Sequence, residues 1–136
     1  MNNDILYDII KSTAEEIEGQ SGNWKFVINS VMFFCITDKF HNRMRIIAPI
    51  NSMDNISNDQ INRCMKANFH TALDARYCIS DNHLWAAFIH PLEELSREQV
   101  KSALSQVFSC VATFGKQYSS GHLIFPTDED RKSMDN

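Results

Sequence analysis

Residues 83–115, HLWAAFIHPLEELSREQVKSALSQVFSCVATFG, carry the signal that decides the fold. Leu84 to His90 is an apolar run of strand length, and Pro91 ends it because proline has no N–H to give to a ladder. Ser96 with Gln99 three residues on is a capping box, the start of a helix. That helix runs to about Gly115 and carries no charged residue from Ser102 onward. Val100, Leu104, Val107, Val111 and Phe114 follow 4-3-4-3 spacing, a stripe that belongs against a sheet. The opposite side holds Ser102, Ser105, Ser109 and Thr113, where a solvated helix usually places Lys or Glu. The pattern predicts a helix between its own sheet and a second surface, either another chain or the segment Ser119–Phe125.

Working outward, Asp4 to Gly19 reads as one amphipathic helix, with Ile5, Leu6, Ile9, Ile10, Ala14 and Ile17 on its apolar face and a Gly19–Gly22 breaker after it. The period then changes to two. Trp24, Phe26 and Ile28 alternate with polar or outward positions, Val31 to Thr37 is more uniformly apolar, and Arg43 to Ile50 alternates again. Asn29-Ser30 and Asp38–Asn42 supply turns, so these three strands form an antiparallel meander, with Pro49 at its end or on an edge. Ser57 and Gln60 make another capping box, opening a helix with Ile61, Cys64, Met65, Phe69 and Ala72 on one side. Ala75 to Ser80, with Tyr77 and Ile79 on one face, is a further strand, joined to Leu84–His90 through Ser80-Asp81-Asn82. The expected fold is α+β, in the order α-β-β-β-α-β-β-α: a single antiparallel sheet with helices packed on it. It spans 1–125 as one domain, and 126–136 is expected to be a disordered polar tail.

A chain of 136 residues, 43% hydrophobic, can bury a core without metal or disulfide staples. A net charge of -4 speaks against nucleic acid or an anionic membrane surface as a partner. With no secretory pattern at the start and no apolar run near the ~20 residues of a membrane helix, the chain is expected to be cytoplasmic. Cys35, Cys64, Cys78 and Cys110 fall in different elements without CxxC spacing, so they read as small buried hydrophobes. His83 and His90 bracket one strand, about 20 Å apart at ~3.3 Å per residue, too far to share a metal. Glu93 and Glu94 precede a helix whose N-terminus favours negative charge. Arg43 and Arg45, with Lys39 and Arg76, read as a solvated strand face. No nucleophile elbow, Walker loop or GxGxxG is present, so the expectation is no enzyme, no cofactor and no metal.

The order of elements over residues 4–115, and the segment from Trp85 through His90-Pro91-Leu92 to Gly115, resemble the type III secretion chaperone-like fold, in particular the YbjN-type bacterial proteins grouped with it. The resemblance implies a small acidic homodimer that holds a stretch of another polypeptide against apolar patches and sheet edges. Candidate contact residues are Trp24, Phe26, Phe33 and Trp85 from the strands and Ser105 and Ser109 from the last helix. The alternative is a regulatory or sensory domain that binds a small ligand between sheet and helices.

Overall fold

The computed structural model describes residues 1–120. Its elements are α1 (Asn3–Thr13), β1 (Glu16–Gln20), β2 (Asn23–Ile28), β3 (Val31–Asp38), β4 (Arg43–Ser52), a 3-10 turn (Met53–Asn55), α2 (Asn58–His70), β5 (Arg76–Ser80), β6 (His83–His90) and α3 (Arg97–Thr113). The strands pair antiparallel throughout, in the order β1-β2-β3-β4-β6-β5. This is the expected α+β class, a single antiparallel sheet carrying helices, with one strand more than the sequence reading. The expected tail at 126–136, and residues 121–125 of the returning segment, lie outside the described residues.

The extra strand corrects the reading of Asp4–Gly19 as one helix. Helix α1 ends at Thr13, and Ala14 is already extended. Ile17, which fits the helical repeat, fits a strand's inward position equally well, and there it pairs with Phe26. The supposed breaker is a hairpin turn joining β1 to β2. Gly22 sits at φ +82, and a Cβ added there would meet Thr37 Oγ1 at 2.6 Å and Asn3 Nδ2 at 3.0 Å.

The other hairpins form where the turn residues indicate. Asn29 and Ser30 (φ 47 and 67), and Asp81 and Asn82 (φ 50 and 59), are two-residue loops with both φ positive, the turn whose twist matches paired strands. Both capping boxes are closed, at Ser57–Gln60 and Ser96–Gln99. Pro49 departs from expectation: β4 continues past it to Ser52 and is a central strand. The ladder with β3 stops at Ile47, and the register against β6 shifts between Pro49 and Asn51, so the missing N–H falls at an irregularity.

The helices cover one face of the sheet. Helix α3 packs on β4, β6 and β5 and touches α1. Trp24, Phe26, Phe33, Cys35, Met44, Ile46, Leu84, Ala86 and Phe88 bury beneath them together with Leu6, Ile9, Ile10, Val100, Ala103, Leu104 and Val107. One polar side chain is built into this interface. Gln106 is 2% exposed; its carbonyl accepts from the backbone N–H groups of Asp74 (2.9 Å) and Ala75 (3.0 Å), and its amide donates to Asp74 Oδ2 and Ser102 Oγ. Three of those bonds tie the centre of α3 to the segment entering β5, and the fourth, to Ser102, steadies the amide from within the helix.

Candidate functional site

The face of the sheet away from the helices is exposed to solvent and largely apolar. Alternation along each strand sends every second residue there. The register sets Lys25, Phe34, Ile47, Ala87 and Arg76 in one rank across five strands, and Ile36, Arg45 and Ile89 in the next. Met32 and Ile36 are each 39% exposed and Ile89 is 53% exposed, whereas their strand neighbours Phe33, Cys35 and Phe88 are buried. Phe34 and Trp85 meet edge to face at 6.2 Å, and Trp85 Nε1 donates to Ser80 O at 3.1 Å, which holds the indole flat along β5 and β6. The result is a contiguous apolar surface over β3, β4 and β6, bordered by the exposed cations Lys25, Arg43, Arg45 and Arg76. At its β1 margin stand Glu16 and Glu18, the latter 3.8 Å from Lys25. Beside Arg43, Asp38 is hydrogen-bonded by the His41 ring at 2.7 Å, which holds its carboxyl below the usual range.

The two edges of the sheet differ. Strand β1 pairs with β2 on one side only. At the opposite edge the Asn68 side chain of α2 accepts from Tyr77 N–H at 2.7 Å and donates to Tyr77 O at 3.1 Å, taking the backbone positions that an added strand would use. Helix α2 itself fully buries only small residues, Cys64 and Ala67, with Ile61 partly buried against the core. Met65 and Phe69, expected on the buried side, point outward and are 48% and 87% exposed. The buried arc is centred on Cys64 and Ala67, and at 100° per residue Met65 and Phe69 fall beyond it. Ile79, expected to share an inward face with Tyr77, is 52% exposed because β5 ends there at the rim.

The sequence-predicted contact residues divide sharply. Trp24, Phe26 and Phe33 are 3%, 1% and 0% exposed beneath the helices, with the Phe26 and Phe33 rings stacked at 5.3 Å. They are core residues in this structure, because the inward face of β2 and β3 is the one that α1 and α3 cover. Trp85 lies half-buried on the open face, Ser105 is exposed on α3 and Ser109 is half-buried. The serine side of α3 meets the chain's own return at its C-terminal end: Thr113 Oγ1 donates to Ser119 O (2.8 Å) and accepts from Ser119 N–H (2.9 Å). Thr71 completes that contact, its hydroxyl donating to Tyr118 O at 2.5 Å and its carbonyl accepting from Ser120 N–H at 3.1 Å. The residues missed were Met32, Phe34, Ile36 and Ile89. The uniformly apolar run Val31–Ile36 is the signal for them, since an antiparallel strand apolar on both faces exposes one of them unless something covers it.

Burial pushes the Cys35 and Cys110 thiols up to about 12 and that of Cys64 up to about 11, the reverse of an activated nucleophile. Among the described residues no three His, Cys, Asp or Glu side chains converge as a metal site would need, and no buried side-chain polar atom lacks a partner. No helix among them is long and apolar enough to cross a membrane. Surface recesses include one of about 270 Å³ between β5, β6 and the first turns of α3, lined by Asp74, Arg76, His90 and Gln99, and one of about 480 Å³ between α1 and the β1–β2 hairpin, lined by Asn3, Tyr7, Ser21 and Trp24; both open to solvent.

The same arrangement of sheet and helices occurs in chains of three solved complexes. One is the HopA1–SchA chaperone–effector complex, with a TM-score of 0.63 at 13% identity over 82% of this chain and 90% of that one. The second is the Yersinia pestis type III secretion chaperone SycH in complex with a fragment of YscM2, with a TM-score of 0.62 at 15% identity, covering 82% and 98%. The third is the ExsC–ExsE complex, with a TM-score of 0.62 at 10% identity, covering 84% and 97%. The fold is secretion chaperone-like. At these identities the likeness is one of fold. No protein-family model and no curated protein matches the sequence, so nothing among these comparisons bears on the YbjN-type grouping.

Proposed function

We propose that this secretion chaperone-like protein is a non-enzymatic binding module that holds a segment of another polypeptide on the open face of its sheet, and that it works as a homodimer. The observation that carries the proposal is the apolar surface of Met32, Phe34, Ile36, Trp85 and Ile89, large side chains left in contact with water on a sheet whose other face is fully packed. Two of the proteins that share the fold come from complexes described as a chaperone with its effector and a secretion chaperone with a fragment of a second protein. The cations around the surface favour a client segment that carries acidic residues among apolar ones. The alternative reading, a small-ligand sensor, gains little from recesses that open to solvent and are not enclosed between sheet and helices.

The test uses the double variant Ile36→Glu/Ile89→Glu, which changes two exposed positions and leaves the core untouched. Proteins recovered with the wild-type chain from its native cell extract, and lost with the variant, should rebind the purified wild-type chain. Equal recovery by a folded variant would refute the use of this face. Light scattering tests the homodimer separately, by a mass twice that of the monomer.

A further inference from the structure

The four cations that border the open face are not equally free to meet a ligand. Lys25 lies 3.8 Å from Glu18, and the Arg76 guanidinium donates to the carbonyls of Leu73 and Ala75. Arg43 gives one N–H to Asn42 O at 3.0 Å. Among the described residues Arg45 has no hydrogen-bond or ion-pair partner. It stands on β4, a central strand, where an exposed charge is usually set beside one of opposite sign. Its cross-strand neighbours are instead Ile36 on β3 and Ile89 on β6, both exposed. A recess of about 350 Å³ opens beside it, lined by Ile36, Asp38, His41, Arg43 and Arg45. Asp38 is the carboxylate of that recess, and both its oxygens are engaged, by the His41 ring at 2.7 Å and the His41 backbone N–H at 3.1 Å. Two guanidinium groups on one face of β4 thus stand against a single carboxylate that is already taken.

We propose that Arg45 is the carboxylate anchor of the open face: the segment bound there sets an Asp or Glu into this recess, with apolar residues on either side against Ile36 and Ile89. The inference rests on the open face being the client surface, and adds to it the place of the acidic residue. Guanidinium is planar and weakly hydrated, so it pairs with a carboxylate through two parallel N–H donors at small desolvation cost. Strand spacing puts each isoleucine about 4.8 Å from Arg45 across the sheet. A ligand lying over both excludes the water that would otherwise screen the pair. The same geometry works against the wrong ligand. A wholly apolar segment covering Ile36 and Ile89 would strip water from the guanidinium and give it no partner, which costs more than leaving the face open. Arg45 therefore selects acidic-apolar segments from among the merely apolar ones that a bare hydrophobic sheet would accept.

Random peptides displayed on phage and selected on the full-length chain supply the probe. The recovered sequences should carry Asp or Glu with apolar residues close on both sides. With one such peptide, fluorescence anisotropy should show binding about tenfold weaker to Arg45→Gln, and about as much weaker when the peptide's acid is replaced by its amide. The two changes together should cost little more than either alone, because they remove the same contact. A merely structural role for Arg45 would leave the two effects independent. Peptides recovered without acidic residues, or held equally by Arg45→Gln, would overturn the anchor and leave the client face standing. Recovery of no peptide, or of peptides that Ile36→Glu/Ile89→Glu binds unchanged, would overturn the reading of the face itself, and the anchor with it.

Discussion

Phe33 and Phe34 are consecutive residues of one strand on opposite faces of the sheet, and replacing each by alanine separates core from surface. Phe33 is fully buried and stacks on Phe26 at 5.3 Å. Truncating it removes a whole buried ring and leaves a cavity, a loss of about 3–5 kcal/mol. Phe34 is half-buried and touches Trp85 at 6.2 Å. About half the transfer energy of a buried side chain, plus a modest aromatic term, gives a loss of roughly 1–2 kcal/mol. Urea unfolding followed by near-ultraviolet circular dichroism measures both, and with slopes of about 1–3 kcal/mol per molar urea the midpoints should differ clearly. The functional order is reversed: Phe34→Ala should lose client binding at a urea concentration where it is fully folded, while Phe33→Ala should bind for as long as it stays folded. Equal destabilisation by the two, or client binding unaffected by Phe34→Ala, would refute the assignment of faces.

Gln106→Leu keeps the volume of the side chain but strands the buried N–H of Ala75, and should cost about 2–4 kcal/mol in the same assay. Asn68→Ala uncovers the backbone of Tyr77 and should lower stability by about 1–2 kcal/mol and raise self-association in sedimentation velocity. The raised Cys35 and Cys110 thiols keep their protons in the folded state where the unfolded chain, with an ordinary value of 9.0, loses them. Stability should therefore fall as pH rises from about 9 toward 12, by up to ~1.4 kcal/mol per pH unit for each thiol. The double variant Cys35→Ala/Cys110→Ala should flatten that slope, and an unchanged slope would assign the loss to other groups.

Much of the fold was legible because local chemistry and long-range packing agree. The two capping boxes, the Asn29-Ser30 and Asp81-Asn82 turns and the Val100–Phe114 stripe each specify an element without help from the rest of the chain. Ile17 was ambiguous because it satisfies a period of 3.6 after Ile10 and a period of two beside Glu16 and Glu18. Only its pairing with Phe26 across the hairpin, which the residues of its own segment do not encode, resolves it in favour of a strand. The candidate surface was harder to read. Trp24, Phe26 and Phe33 look like anchors by size, yet which face of a strand is covered depends on where helices dock, and that is not written in the strand. On α2 the small residues Cys64 and Ala67 mark the close approach to the core, and the larger Met65 and Phe69 are left outside it.

The inequality between the two edges of the sheet bears on how far any assembly can grow. Strand addition becomes open-ended when a protein offers a receptive edge at both ends, since each newcomer presents the next site. Here Asn68 occupies the backbone of Tyr77 on the β5 side, and the row of peptide groups on β1 is left as the docking edge. A visiting strand can extend the sheet by one step at β1, and two copies meeting there bring their β1 edges together and leave their β5 edges outermost. Growth by that route closes at a finite size wherever the Asn68 amide holds the outward N–H and C=O of Tyr77.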